Sequence, residues 1–410
     1  MGDKEAGMKF KSAAELAEAR ERVWEEYAER AKSDPQRKEE FETKTMVFGD
    51  AVMRYEMYVI GEKPEGGYPL YIALHGGGGA PKALNDSQWE HMKVYYRRSV
   101  GCGVYVAPRG VRDTWNTHFN DESYPLYDRL IENMILFAGV DPNRVYLLGF
   151  SAGGDGVYAI TPRMADRFAA ANMSARHPNG VSLKNLYSLP LAIQVGERDT
   201  AYGRNTEAAV YDGLLGSLAA AEGGYVHRTF IHYEKPHNFY DNHPEREPQK
   251  VIADVRAWKE NGDRSTIFAN TNAVDWVTAF ERKPYPEKII WDLGTRAPMR
   301  RVRSFYWLRA DSPEPAGEVK AQLDRANNSV MVETKDLRGG LTVLLNEDML
   351  DIFAPVKIEI DGEKLEVYDQ PSMKLLYHTT LERGDRFFQF AAGVKLCRGE
   401  DGSWKAEQAV

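Results

Sequence analysis

Ser151 stands between glycines in Gly149-Phe150-Ser151-Ala152-Gly153, directly after the apolar stretch RVYLL of residues 144–148. An apolar run feeding a G-x-S-x-G sequence places the serine on a sharp strand-to-helix turn. The strained backbone there presents the hydroxyl to solvent, and only glycine lets neighbouring segments close in. A serine hydroxyl is a poor nucleophile at neutral pH, so it needs a histidine to take its proton and an acid to orient that histidine. In arrangements of this kind the acid follows a late strand and the histidine follows the last one. The strand LAIQV of 191–195 runs into Gly196-Glu197-Arg198-Asp199, and a strand ending at Tyr233 runs into Glu234-Lys235-Pro236-His237-Asn238. Asp199 and His237 are therefore the expected acid and base. Glu197 is the alternative acid; His232, within the strand, and His243, beyond the loop, are alternative bases that read better as packing or surface residues.

A second constellation is His75 followed by the glycines Gly76 to Gly79, after a strand over 68–74. Attack on a carbonyl puts negative charge on its oxygen, and preorganised N–H donors in a dry pocket supply roughly 3–4 kcal/mol each. The glycine loop can form such an oxyanion hole, with the N–H of Gly76 or Gly77 paired with that of Ala152. A phosphate cradle is the competing reading, but no G-K-[ST] ending and no dinucleotide-type spacing follows. Trp115 and His118, in the loop 108–122, and Tyr202, just past the acid, are candidates for substrate binding. No metal-ligand spacing is present, and Cys102 and Cys397 fit neither a metal nor a redox pattern.

The set H-G-G-G-G, G-F-S-A-G-G, G-E-R-D and P-H-N, in this order over residues 46–262, resembles the α/β-hydrolase superfamily. The elbow and the glycine loop are most similar to esterases of the polyhydroxybutyrate depolymerase, feruloyl esterase and dienelactone hydrolase groups. The resemblance implies Ser151, Asp199 and His237 as a triad working without a cofactor. Dienelactone hydrolases proper carry cysteine where Ser151 stands, and hormone-sensitive-lipase-type esterases differ at Phe150, so no subgroup is assigned.

Strands over 46–60, 68–74, 103–107, 145–150, 168–173, 189–195 and 225–233 alternate with helical spacing over 88–99, 124–138 and 206–221. That alternation predicts an α/β fold, a mostly parallel sheet flanked by helices, with the site at the strands' C-terminal ends. The domains expected are an N-terminal helical extension (1–45), the hydrolase domain (46–262), a helical linker (263–284) and a β-rich C-terminal domain (285–410). In the extension Leu16, Val23, Trp24, Tyr27 and Ala31 make one helical stripe, ended by Asp34-Pro35. In the last domain hairpins are expected about Asn327-Asn328 and Asp361-Gly362.

The chain has 410 residues, 43% hydrophobic and 28% charged, with a net charge of −8. No apolar run is long enough to span a membrane, and the scattered basic residues offer nucleic acid no patch. Compartment, cytoplasmic or secreted with a signal removed, is open, as is oligomeric state, a homo-oligomer included. The function these features imply is a serine hydrolase cleaving carboxylic esters through an acyl-enzyme. The short connection between the strands ending near 173 and starting near 189 leaves no room for a lid, so the cleft suits bulky or polymer-linked esters. A serine peptidase of the prolyl oligopeptidase type is the alternative, although the region before residue 46 is too short for a propeller. A catalytically silent binding protein is the other. The C-terminal domain reads as a carbohydrate- or partner-binding module, or as a domain that shapes the cleft wall or a dimer contact.

Overall fold

The computed structural model of the protein describes residues 7–242, 249–269, 272–312 and 314–409. The chain forms two compact units, one made of Gln36–Lys283 with Ala297–Met299, the other of residues up to Pro35, Pro284–Arg296 and the chain from Arg300 onward.

The first unit has an α/β fold built on a ten-stranded sheet. Its strands are β1 (Thr45–Phe48), β2 (Ala51–Ile60), β3 (Tyr68–Leu74), β4 (Gly103–Pro108), β5 (Val140–Phe150), β6 (Ala170–Ser174), β7 (Leu191–Gly196), β8 (His227–His232), β9 (Lys250–Ile252) and β10 (Ile267–Ala269). They lie in the order β1-β2-β4-β3-β5-β6-β7-β8-β9-β10. The six central strands, β4 to β8, pair in parallel, while β1, β2, β9 and β10 add antiparallel edges. The central strands are buried along most of their length, as expected where helices cover both faces of a parallel sheet. Helices Lys82–Met92, Ser123–Ala138, Ala152–Met164 and Arg204–Glu222 fall between strands. The first begins six residues before the apolar spacing at 88–99 suggested and ends seven residues short of it, at Met92. The stretch 263–284, read from sequence as a linker, is built into this unit: β10 extends the sheet, and Ala273, Val274 and Val277 join a core with Tyr71, Tyr95, Tyr96 and Tyr146.

The second unit contains two five-stranded sheets and the helix Met373–Arg383. One hairpin turns through Asn328 at φ 49° and another through Asp361 at 48° and Gly362 at 87°, the positive angles that Asn, Asp and Gly accommodate. The N-terminal helix, Ala13–Ser33, belongs to this unit and not to a separate extension. Its Leu16, Ala19, Val23, Tyr27 and Ala31 are buried, and Arg30 donates to the Tyr377 hydroxyl at 2.8 Å. The helix ends where Asp34-Pro35 was expected to stop it, but Pro35 also opens a second helix, Pro35–Thr43, because its fixed φ and missing N–H suit a first helical position. No helix among the described residues is long and apolar enough to cross a membrane.

Candidate active site

β5 delivers Ser151 to the start of helix Ala152–Met164 with φ 58° and ψ −122°. Side-chain-bearing residues seldom occupy that region, and strain of this kind persists only where the surroundings enforce it. Here they do. A Cβ on Gly149 would collide with the Gly153 carbonyl, and one on Gly153 with the Leu74 carbonyl. The Ser151 N–H is held at 2.9 Å by the carbonyl of Ser174 at the end of β6.

His237, in the loop after β8, approaches Ser151 Oγ with Nε2 at 3.3 Å and Asp199 Oδ2 with Nδ1 at 2.7 Å. Asp199 follows β7 and is 3% exposed. Its other oxygen accepts from Arg204 Nη1 at 2.9 Å, and the same nitrogen lies 3.4 Å from His237 Nδ1. Burial pushes the Asp199 carboxyl up, but hydrogen bonds from His237 and Arg204 outweigh it and hold the group below its ordinary value. Glu197 faces elsewhere, paired with Arg264 and accepting the Glu234 N–H. His232 is buried, its ring nitrogens 2.9 Å from Gln194 Oε1 and 3.0 Å from Gln249 Oε1. His243 lies outside the described residues.

The glycine loop runs beside Ser151. A Cβ on Gly76 would sit 3.4 Å from Ser151 Cβ, and one on Gly78 would sit 3.2 Å from Ala152 Cβ. Gly77 and Gly78 have φ of 104° and 91°, angles that favour glycine. His75 is buried, and burial, with Arg109 nearby, pushes its imidazole down to about 4, so the ring is neutral. Its Nε2 accepts the Gly110 N–H at 3.0 Å, which leaves Nδ1–H to donate to the Gly76 carbonyl at 2.6 Å. Because a trans peptide sets C=O and N–H on opposite sides, the Gly77 N–H points away from that ring. Asn85 clamps the rest of the loop, accepting from Gly78 N and donating to the carbonyls of Gly78 and Ala80. Nothing in the sequence pattern distinguished Asn85 or Arg204 from surface residues on polar helical turns.

His118 does not offer its ring to a ligand: it is fully buried, with Nε2 donating to the His75 carbonyl at 2.8 Å. It supports the glycine loop from behind, a role that a loop position alone could not reveal. Trp115 is 56% exposed and packs edge-on against Phe119, with its backbone against Gly78 and Gly79. Tyr202 is 80% exposed at φ 57°, its ring 5.0 Å from the Arg204 guanidinium and 6.0 Å from that of Arg176. A cavity of about 180 Å³ opens beside Gly76 and Phe150 and is bounded by Gln88, His91, Tyr95 and Asn238. Among the described residues no cluster of His, Cys, Asp or Glu has the makings of a metal site.

No family model matches the chain. A probable feruloyl esterase C from Aspergillus terreus is 27% identical over 107 residues, 26% of this chain. The aligned part spans 39% of that relative's length. Among solved structures, a thermostable esterase is 19% identical with a TM-score of 0.38, covering 58% of this chain and 62% of its own. The poly(3-hydroxybutyrate) depolymerase LpqC from Bordetella parapertussis is 18% identical at a TM-score of 0.36, covering 47% and 81%. These three proteins are named as esterases and a depolymerase. They are too distant to carry a residue's role or a substrate across, and the roles below rest on the geometry of this chain.

Proposed function

We propose that this protein is a serine hydrolase of carboxylic esters, with Ser151 as nucleophile, His237 as general base and acid, and Asp199 as the orienting carboxylate. The observation that carries the reading is the hydrogen-bonded line from Asp199 through His237 to a serine held at φ 58° on a glycine-bracketed turn. Ser151 Oγ attacks the ester carbonyl carbon as its proton passes to His237 Nε2, and the carbonyl π electrons move onto oxygen. The N–H groups of Gly77 or Gly76 and of Ala152 receive that oxyanion. The tetrahedral intermediate collapses with loss of the alcohol, which takes the proton from His237. Water, deprotonated by the same imidazole, then releases the acid and restores Ser151. Every group needed is a side chain or a backbone N–H.

The connection between β6 and β7, residues 175–190, carries only the single 3₁₀ turn Lys184–Leu186, which supports an uncapped cleft. Exposed Trp115 and Tyr202 supply aromatic surface there for a bulky or polymer-linked ester. Turnover of p-nitrophenyl acetate, butyrate and feruloyl esters tests the reading. Ser151→Ala is expected to lower kcat by about 10⁴-fold or more with the fold intact. Retention of most activity in that variant would remove Ser151 as nucleophile.

A further inference from the structure

Asp241 is buried, with no exposed surface, four residues beyond His237. Its Oδ1 accepts the Tyr95 hydroxyl at 2.7 Å, and its Oδ2 accepts the Tyr96 hydroxyl at 3.2 Å and the Ser174 hydroxyl. Its own carbonyl accepts the Ala273 N–H at 2.8 Å. Three O–H donors converge on this carboxylate, and none of them plays a part in the chemistry proposed above. Two of them, Ser174 and Tyr95, are tied to different parts of the site. Ser174 is the residue whose carbonyl holds the Ser151 N–H. Tyr95 walls the cavity beside Gly76, and its ring lies 5.4 Å from that of Phe150, which in turn lies 5.4 Å from the His237 ring. Asp241 belongs to the same β8–β9 connection as His237, four residues further along it.

The network extends under the site as a row of amides. Ser174 Oγ accepts from Asn172 Nδ2 at 2.9 Å, Asn172 Oδ1 from Gln194 Nε2 at 2.9 Å, and Gln194 Oε1 faces His232 Nε2 at 2.9 Å. All four side chains are buried. Polar groups of this kind are costly to bury unless mutually satisfied, so a satisfied network specifies one arrangement of the strands and loop it joins.

We propose that Asp241 is a positioning residue for the reaction: through Ser174 it fixes the nucleophile's turn, through its main chain the loop of the base, and through Tyr95 the pocket wall, holding Ser151 and His237 in register. The proposal rests on the ester-hydrolase reading of the site. Its test is active-site titration with a fluorophosphonate, which counts competent sites, combined with p-nitrophenyl acetate kcat per titrated site for Asp241→Asn, Ser174→Ala and Tyr95→Phe. A misplacement of the reacting groups by a fraction of an ångström should lower kcat per titrated site in Asp241→Asn by at least about tenfold, with KM changed less. The two single-arm variants should show smaller losses in the same direction. A purely structural role would lower only the number of competent sites. Unchanged kcat per titrated site in folded Asp241→Asn would overturn the proposal. Should that variant not fold, unchanged values in both Ser174→Ala and Tyr95→Phe would overturn it. Absence of both ester turnover and fluorophosphonate labelling in the wild-type protein would instead bring down the ester-hydrolase reading, and this proposal with it.

Discussion

At Asp199 two influences oppose each other. Burial favours the protonated acid, and hydrogen bonds from His237 and Arg204 favour the carboxylate and prevail. A carboxylate held below its ordinary value contributes stability that is present above that value and is lost as pH falls through the lower folded value. Removing Arg204 leaves burial with less opposition, so Arg204→Met should raise the Asp199 value, as followed by NMR titration of its carboxyl carbon. An Asp199 titration unmoved or moved downward in that variant would show that Arg204 does not hold the carboxylate ionised. Ser151, Asp199 and His237, which lie within hydrogen-bonding distance of one another as a line, were candidates from the sequence, each read from a local motif joined to chain order. Arg204 was not, because its role arises when the 3₁₀ turn Ala201–Gly203 folds it back onto Asp199. The same limit applies to His118, which a loop position suggested as a pocket residue and which the folded chain buries behind His75.

The helix that follows Ser151 carries a titration of its own. Asp155, in its first turn, is pushed up to about 6 by burial, against opposing hydrogen bonds from Arg176 at 2.5 Å and Asn179 at 3.0 Å. A carboxyl raised in the folded state contributes stability that is fully present below its unfolded value and is lost as pH rises through the folded one. The interval from an ordinary carboxylate to about 6 corresponds to on the order of 2–3 kcal/mol. Urea unfolding at several pH values should therefore show wild type losing ground to Asp155→Asn between about pH 4 and 6, and parallel curves would contradict this. The turn itself is tested by sterics. Gly153→Ala must displace the Leu74 backbone and should prevent a native site from forming, whereas Gly213→Ala, in helix Arg204–Glu222 with open space around it, should gain up to about 1 kcal/mol. A native-like, active Gly153→Ala protein would contradict the packing described here. The central strands were legible because each is a short apolar run with turn residues at its ends. β9 and β10, three residues each, are too short to show a period and become strands only by pairing with an existing edge.

For the whole molecule, the least legible feature is which segments fold together. The stripe on helix Ala13–Ser33 announces that one face is covered, but periodicity cannot name what covers it. The cover comes from the opposite end of the chain, where Arg20 pairs with Glu347 at 2.7 Å and its carbonyl accepts from Gln389 at 3.1 Å. The C-terminal residues taken alone would lack part of their own unit. Leu16→Ala, at a fully buried position, should destabilise that unit by roughly 2–5 kcal/mol. Calorimetry would detect this as a lowered transition, and an unchanged thermogram would mean that the helix contributes little. The most direct test of the account's central claim is intact-protein and peptide mass spectrometry after reaction with a fluorophosphonate. The account predicts a single adduct on Ser151 that is absent from Ser151→Ala and slowed in His237→Ala. An adduct elsewhere, or none on folded protein, would contradict it.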